Sequence, residues 1–559
     1  MQMTANQTRV WTTLALVATA YCTGLQAQTV DSGSLLRQTE SPSRQLPPTA
    51  APQLDTAATV LTGNPSGVVV TVTAFNFAGN QRLSAAQLSA VVASYLNQPL
   101  SFAQLQQVAA AVTAAYRDAG WVVRSYLPQQ DISTGTVTIQ VVEAVFGGVA
   151  FEAPEPQRVK PTVLSAIAEA AQAPGTPLEA GALDRALLLM EDLPGISVSG
   201  RLVEGAQHGQ TNLVVAAKDK PLVTATISAD NYGSLATGAN RLNASLTLNS
   251  PTGLGDVLTT SLMKTQGIDY ERMAYSLPVG ASGARAGVHM SQLDYRLVGD
   301  FASLNAYGSA QTKGLDFSYP LIRSQKKNLN LVLSYDAKTF DDTASSVLKS
   351  RFINALSTAL SGTHSDGYAG GGMNSASLSV VTGNLSFSGA GNQSADTSTA
   401  QTAGQYSKAL FSLSRLQVLA GDLSLYVAGS LQVANKNLDS SEKLYLGGAG
   451  GVRAYPTAEG GGSEGRTVTV EIQKRLDAAW TLVGFYDYGW LKVMRNNYTA
   501  TDPNQYALQG VGASVNWQVN QTVAAKATLA QRIGNNITAL DSDGTKKVTR
   551  LWINTSIAF

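Results

Sequence analysis

Side chains that commonly bind metals or activate substrates are few in this sequence, and they are far apart. His208, His289 and His364 are the only histidines, and their separation does not match the spacing of metal ligands. The adjacent acids Asp341 and Asp342 are interpreted as charges on a loop. We therefore predict that the chain has no catalytic residues, no metal site and no cofactor, and that it is not an enzyme.

Two glycine-rich stretches resemble ligand-binding loops only superficially. Residues 447–451, GGAGG, lack the spacing of a dinucleotide-binding loop, and no helix is predicted after them. Residues 280–284, GASGA, lack the glycine-x-serine-x-glycine context of a nucleophilic serine and fall in a predicted turn. Neither stretch supports a catalytic function.

The first stretch leads directly to an arginine, in the sequence GGAGGVRAYP at 447–456. Arg453 lies between two predicted strands in the segment 437–466, which is much longer than the 2–5 residues that are usual for a hairpin loop. Long loops of this kind usually have a function, and an arginine can hold a carboxylate with two parallel hydrogen bonds. Arg453 is therefore a candidate binding residue, and its partner depends on the elements around it.

The composition favours a membrane protein built from strands. Charged residues make up 14% of the chain, against about 25% in typical soluble domains, and the net charge of +1 offers no basic surface for nucleic acid. No stretch approaches the ~20 apolar residues that a membrane-spanning helix needs. Apolar residues that alternate with small polar ones produce this composition, and a membrane β-barrel has that pattern.

The N-terminus is predicted to be a secretory signal peptide, residues 1–27. Arg9 precedes an apolar run, and the segment ends in a small residue, Ala27. Cys22 is the only cysteine and lies in this segment, and Tyr21 before it does not fit a lipid-anchor signal. Cleavage would leave a chain without disulfides or a thiol nucleophile. An exported chain without a spanning helix is periplasmic, secreted or an outer-membrane barrel.

Residues 28–67 are predicted to contain a short helix at 31–40 and a proline-rich, extended linker at 41–67. Two units with the order β-α-α-β-β follow, at 68–144 and 145–221. Ser84 is a predicted N-cap in the first unit. The second helix of that unit carries an apolar stripe of Leu105, Val108, Val112 and Tyr116. The predicted strands are 68–77, 121–127 and 136–143 in the first unit and 147–152, 196–204 and 211–219 in the second.

Helical periodicity disappears in residues 222–559, where about sixteen segments alternate apolar with polar residues. In 423–433, for example, leucines and valines occupy one face, and serines, a tyrosine and a glutamine occupy the other. A bilayer has no water to satisfy a strand edge, so spanning strands must close into a barrel. We predict a β-rich chain that ends in a 16-stranded antiparallel transmembrane β-barrel. A soluble β-sandwich or β-helix is the alternative, and aromatic residues near the segment ends argue against it.

One predicted barrel strand carries an acid that suits Arg453. Asp487 alternates with Tyr486 and Tyr488, so if both tyrosines face lipid, Asp487 faces the lumen together with Phe485. An arginine on an inward loop would complement this carboxylate. The alternative is a surface arginine and an aspartate at a strand end that never meet.

The order of these segments resembles the outer-membrane transporters of two-partner secretion, the TpsB family, which includes haemolysin and filamentous-haemagglutinin exporters. In this resemblance the two units are POTRA domains, and residues 114–143 are similar to the end of the family's first POTRA domain. The sequence GGVRAYP resembles the family's Val-Arg-Gly-Tyr signature, which lies on a loop that folds into the barrel. The sequence GFYDYG at 484–489 resembles the Phe-x-Asp signature of the following strands.

The resemblance implies that the loop tip contacts the barrel wall and that Arg453 pairs with Asp487. The residues concerned are Val452, Arg453, Tyr455 and Pro456 on the loop and Phe485 and Asp487 on the wall. Ala454 stands where the family usually has glycine. If this position requires a positive φ, the alanine is strained by about 1 kcal/mol or more, and the loop tip has a different shape.

The resemblance also implies an outer-membrane pore whose POTRA domains, in the periplasm, recognise a large unfolded exoprotein that the barrel then translocates to the cell surface. The expected partner is a secreted, β-helical TpsA-type adhesin or haemolysin, and the transporter is expected to be a monomer in outer-membrane lipid. The helix at 31–40 is expected to plug the resting lumen. Two alternatives remain, an assembly factor that inserts other membrane proteins and a passive porin. The leading helix and only two POTRA-like units favour secretion over assembly, and the long inward loop argues against a porin.

Overall fold

The computed structural model describes residues 30–40, 54–55, 69–207, 209–345, 347–501, 503–534 and 541–559. The predicted signal peptide, most of the predicted linker and His208 lie outside these residues. Two short elements come first, helix α1 (Ser32–Glu40) and strand β1 (Leu54–Asp55). No helix among the described residues is long and apolar enough to cross a membrane.

The first unit has the predicted β-α-α-β-β order together with one additional pair of short strands. Its elements are β2 (Val69–Thr71), β3 (Ala74–Ala78), α2 (Ala85–Val92), β4 (Pro99–Ser101), α3 (Phe102–Asp118), β5 (Val123–Tyr126) and β6 (Thr136–Glu143). Capping boxes formed by Ser84 with Gln87 and by Ser101 with Gln104 begin the two helices. The apolar stripe of α3 is buried against a sheet with the order β3-β6-β5.

The single strand predicted at 68–77 is wrong, because the chain changes partners inside it. Strand β2 pairs with β4, whereas β3 runs parallel to β6 in the main sheet. The change occurs at two adjacent amides: Val72 donates to the carbonyl of Gln98, and Thr73 donates to the carbonyl of Gly135. A run of β-branched residues does not reveal such a change of partner.

The second unit repeats the β-α-α-β-β order. Its elements are β7 (Val145–Phe151), α4 (Pro161–Ala171), α5 (Ala180–Glu191), β8 (Ile196–Glu204) and β9 (Gln210–Asp219). Both helices bury their apolar faces on the sheet in one continuous core. The sheet has the order β1-β8-β9-β7, so β1 pairs in parallel with β8 at Gly200 and Arg201.

Sixteen strands form one closed antiparallel barrel, and this confirms the predicted fold class. They are β10 (Val223–Asp230), β11 (Arg241–Asn249), β12 (Val257–Lys264), β13 (Ile268–Pro278), β14 (Arg285–Arg296), β15 (Tyr307–Arg323), β16 (Lys327–Ala344), β17 (Val347–Asp366), β18 (Gly372–Phe387), β19 (Gly404–Ala420), β20 (Leu423–Ala434), β23 (Glu464–Arg475), β24 (Trp480–Lys492), β25 (Gln505–Gln518), β26 (Val523–Arg532) and β27 (Thr549–Ala558). The first strand pairs with the last, from Thr226 with Ala558 to Asp230 with Asn554.

Alternation of side chains along the strands gives the barrel an apolar outer face. On β20, for example, Leu431 and Val433 are exposed, whereas Gln432 between them is buried. The loop between β20 and β23 folds into the barrel and contains the short strands β21 (Leu444–Tyr445) and β22 (Gly461–Gly462). A further helix, α6 (Ala390–Thr397), lies between β18 and β19.

Helix α1 also lies inside the barrel. Leu35 and Leu36 are buried among inward-facing residues of the wall, including Leu293, Phe340 and Ile353. At the C-terminal end of the helix, Glu40 accepts hydrogen bonds from wall residues, among them the hydroxyl of Ser291 at 2.7 Å. Among the described residues, α1 and the inward loop therefore both lie in the lumen.

The second unit is attached to the turns at one end of the barrel. Arg323 binds Asp192 with two hydrogen bonds, 2.8 Å from Nε and 2.7 Å from Nη2. Arg185 donates to the carbonyl of Pro320 at 2.9 Å. Leu189 packs so closely on Gly283 that a Cβ there would lie 2.5 Å from its Cδ2 atom. Charge and shape together fix α5 against the barrel.

Replacing Arg323 with alanine is expected to loosen the second unit without unfolding the barrel. Asp192 is about half exposed, so this ion pair is worth about 1 kcal/mol or less, and amide exchange at the end of α5 should become a few-fold faster. Hydrogen–deuterium exchange would measure this change. Arg475→Ala is the matched control, since it removes an exposed pair with Asp422 at the same end of the barrel. An unchanged exchange rate in Arg323→Ala would contradict this attachment.

Candidate functional site

The inward loop folds tightly because three glycines allow its backbone to approach itself. A Cβ at Gly451 would lie 2.0 Å from the carbonyl oxygen of Leu446, and one at Gly447 would lie 2.3 Å from that of Pro456. Gly448 has a φ of +110°, which only glycine adopts readily. The glycine-rich stretch before Arg453 therefore builds a compact turn that presents the arginine to the wall.

Arg453 lies against Asp487 of β24 and Glu471 of β23. Its Nε and Nη2 atoms each donate to one carboxylate oxygen of Asp487 at 2.8 Å, and its backbone amide donates to the same group at 3.1 Å. Its Nη1 atom donates to Glu471 at 2.9 Å. The side chains of Arg453 and Asp487 are only 3% and 1% exposed. We call these three residues the Arg453 clamp.

The surroundings of the clamp keep both charges in place. The Cζ atom of Arg453 lies 3.4 Å from the centre of the Phe485 ring, and the indole of Trp552 donates to the carbonyl of Arg453 at 2.7 Å. Thr469 donates to Asp487 at 2.9 Å. Burial alone would lower the pKa of Arg453, but its contacts with Asp487 and Glu471 outweigh this effect and raise the pKa above its usual value.

Glu471, Thr469 and Trp552 are site residues that the sequence analysis did not identify. Strand register explains the first two, since Thr469 pairs with Asp487 and Glu471 pairs with Phe485. Their alternation with valines on β23 was a usable signal, because it places both polar side chains in the lumen. No local pattern connects Trp552, on the last strand, with the loop.

The other predicted tip residues lie between the loop and the wall. Val452, Tyr455 and Pro456 are buried, and the guanidinium of Arg532 lies 4.2 Å from the centre of the Tyr455 ring. Phe485 faces inward beside Asp487, as the alternation predicts. Val452 and Tyr455 therefore pack in one cluster with Phe485, beside Arg453 and Asp487, whereas Pro456 is buried against Gly447 of the loop itself.

Ala454 does not have a positive φ, so the strain that a positive φ would impose does not arise. Its side chain is fully buried and faces a glycine of the wall. A Cβ at Gly510 of β25 would lie 2.6 Å from the Cβ of Ala454. The absence of a side chain at Gly510 therefore makes room for the methyl group that distinguishes this loop from the family signature.

His289, Asp341 and Asp342 lie on strands of the barrel, outside the Arg453 clamp. His289 lies between Asp316, 2.6 Å from Nδ1, and Asp336, 3.0 Å from Nε2. Within the described ranges, no group of three or more histidine, cysteine or acidic residues could hold a metal ion. The interpretation of Asp341 and Asp342 as loop charges is wrong, because both lie on β16, where alternation with apolar residues is interrupted.

Replacing Gly510 with alanine is expected to displace the loop tip, because the new methyl group would overlap that of Ala454. Amide exchange in residues 446–456 should become several-fold faster while the barrel remains folded. The double variant Gly510→Ala/Ala454→Gly should restore slow exchange, since loss of the methyl group at position 454 makes room for the new one at position 510. Gly484→Ala on β24 is the control, because nothing lies within 4 Å of a Cβ there. Equal behaviour of the two single variants would rule out this packing.

Comparisons with known proteins agree with this architecture. The family described as haemolysin secretion/activation protein ShlB/FhaC/HecB matches residues 209–517, and the ShlB-type POTRA domain matches residues 70–144. The heme/hemopexin transporter protein HuxB of Haemophilus influenzae is 26% identical over 473 residues, which are 83% of each chain. The outer membrane transporter CdiB of Escherichia coli is 28% identical over 233 residues, which are 41% of this chain and 37% of CdiB.

The solved structure of CdiB from Escherichia coli has the same fold. It aligns with 100% of this chain and 99% of its own, with a TM-score of 0.69 at 20% sequence identity. The barrel lies in the outer membrane and the POTRA domains lie in the periplasm. The resemblance inferred from the order of the motifs is confirmed by the family match over more than half of the chain. The chain therefore belongs to the haemolysin secretion/activation family ShlB/FhaC/HecB, and it is an outer-membrane transporter of two-partner secretion.

Proposed function

We propose that this transporter binds a large, unfolded TpsA-type exoprotein in the periplasm and passes it through the barrel as an extended chain. The partner in this proposal is β-helical, an adhesin or a haemolysin, and it folds only after it reaches the cell surface. Folding outside the cell would make export directional without ATP. The proposal rests on the observation that α1 and the inward loop together occupy the lumen of the barrel.

A lumen occupied in this way favours a gated transporter over a passive porin. Both α1 and the inward loop stand in the path of a polypeptide, so both must move before one can pass. A diffusion pore for small solutes would not need two removable segments. The leading helix also favours secretion over the insertion of other membrane proteins.

Strand addition is the mode of recognition that the POTRA domains support best. Strand β5 lies at the edge of the sheet of the first unit, and an extended peptide can add a strand to such an edge. The corresponding edge in the second unit, β8, pairs with β1 at two residues. We therefore propose that residues 68–144 form the first POTRA domain and make the first contact with the partner, and that 145–221 form the second.

A single copy of the chain is sufficient for this function. The barrel closes on itself, so no second subunit is needed to complete the pore. Translocation of an unfolded chain makes or breaks no covalent bond, so the proposal includes no catalytic residue and no cofactor. The transporter acts as a monomer in this proposal.

The role proposed for the Arg453 clamp is to hold the inward loop in one position on the wall. Two hydrogen bonds from the guanidinium to Asp487 fix its direction as well as its distance, and a third from the backbone amide fixes the loop itself. Removing Arg453 would leave the buried carboxylate of Asp487 without the cation that it binds here, a change that typically costs about 3–5 kcal/mol. The loop would then detach from the barrel wall.

An Arg453→Ala variant should insert normally into the outer membrane but lose most export. The partner to be tested would be sought as a large secreted β-helical protein encoded by a neighbouring gene. Immunoblots of medium and cells would measure its secretion with the native transporter, with the variant and without either. Arg415→Ala is the matched control, because Arg415 forms an ion pair with Asp366 at 2.7 Å elsewhere in the barrel. Normal secretion by Arg453→Ala would remove the proposed role of the clamp.

A further inference from the structure

A second buried arginine, Arg351 of β17, connects the two segments that occupy the lumen. Its side chain is 0% exposed, and its three nitrogens face three different elements. Nη1 donates to Asp342 of the wall at 2.7 Å, Nη2 donates to Asp31 beside α1 at 3.1 Å, and Nε lies 3.0 Å from Asp439 of the inward loop. We call Arg351 and these three carboxylates the Arg351 cluster.

The start of α1 is shaped to fit this cluster. The second carboxylate oxygen of Asp31 accepts the backbone amide of Ser34 at 2.8 Å, so the residue that meets Arg351 also caps the helix. Ser32 donates its amide and its hydroxyl to Asp342, at 2.8 and 2.9 Å. A Cβ at Gly33 would lie 2.7 Å from Nη2 of Arg351 and 2.8 Å from Oγ of Ser440, so a larger residue would displace these side chains.

The cluster contains more carboxylates than its single cation requires. If α1 left the lumen, Arg351 would keep Asp342 and Asp439 as partners. Asp342 would still accept the hydroxyl of Tyr295 at 2.9 Å, and Asp439 would still accept the amide and hydroxyl of Ser441. Asp31 would keep its helix-capping bond in water. Departure of the helix therefore leaves no buried charge without a partner.

The Arg453 clamp behaves differently, because its cation belongs to the segment that moves. If the loop left the wall, Asp487 and Glu471 would both lose the buried guanidinium, and Asp439 would be withdrawn from Arg351 as well. Departure of the loop thus disturbs both clusters and also separates Glu442 from Lys338 and Lys408. Departure of α1 disturbs the Arg351 cluster, which remains paired, and the partly exposed ion pair of Glu40 with Arg272. The two segments are held with unequal strength.

We propose that Arg351 is a positioning residue that sets the order in which the lumen is cleared. It holds α1 through Asp31 at rest, and it keeps the inward loop seated through Asp439 after α1 has left. The inference rests on the proposed export function, since it assumes that α1 leaves the lumen. Hydrophobic contacts of Leu35 and Leu36 and the contacts of Glu40 contribute to the same docking, so loss of Asp31 weakens it without abolishing it.

The test measures the accessibility of each segment in the full-length transporter, reconstituted in liposomes without any partner. Single cysteines are placed at Ser34 to monitor α1 or at Val452 to monitor the loop tip, in a Cys22→Ser background. Both positions are buried, so a water-soluble maleimide reacts with each only after its segment moves. Conductance in planar bilayers reports the opening of the pore independently.

Asp31→Asn should raise the rate of labelling at position 34 by about tenfold, the factor expected for one lost charge-assisted hydrogen bond, and should leave position 452 protected. Arg351→Gln should raise labelling at both positions and increase conductance. Arg415→Gln, the same chemical change at a barrel arginine that pairs with Asp366, should alter neither position.

Three results would overturn the proposal: Asp31→Asn without effect at position 34, Asp31→Asn with equal exposure of position 452, or Arg351→Gln without effect at position 452. Should Arg351→Gln fail to assemble, the Asp31→Asn result still decides, because that change lies outside the barrel strands. Secretion assays test a separate point. Loss of export with unchanged labelling and conductance would count against the proposed function and not against this order of release.

Discussion

A bilayer offers no hydrogen-bond partner to the edge of a β-sheet, and the pairing of β10 with β27 is how this chain meets that constraint. Closure turns sixteen amphipathic strands into a wall with a lipid face and an interior. It also brings residues from distant parts of the sequence into one enclosed space. Trp552 on the last strand can contact the loop that carries Arg453 only because the sheet is closed.

Inside that wall, charge pairing supplies much of the cohesion that apolar packing supplies in the POTRA units. The two periplasmic cores consist of aliphatic and aromatic side chains packed between helices and sheet. In the lumen, two buried arginines each contact carboxylates from more than one element. Such ion pairs are directional, and their hydrogen bonds are lost together when the segment moves. They therefore hold a segment in one defined position in the lumen and still allow it to be released. A lumen that must be emptied for transport benefits from attachments of this kind.

The sequence predicts the parts of this structure that follow from local patterns. Alternation identifies the strands and orients Asp487, and capping residues such as Ser84 identify the helices. Local sequence patterns do not predict contacts between distant residues. Asp31 and Arg351 are 320 positions apart, and nothing near either one indicates the other. The interpretation of Asp342 as a loop residue fails for the same reason, because an acid within a strand is explained only by the helix and the arginine that it meets.

The pairing of β1 with β8 has a consequence for how far α1 can travel. Residues 41–53 separate Glu40 from Leu54, and an extended chain spans at most about 3.3–3.6 Å per residue, or roughly 50 Å here. While Leu54 stays paired with the second POTRA unit, the connecting segment keeps an expelled α1 near the mouth of the pore. Its effective local concentration there is on the order of millimolar, so resealing after each passage is a unimolecular event that needs no other protein.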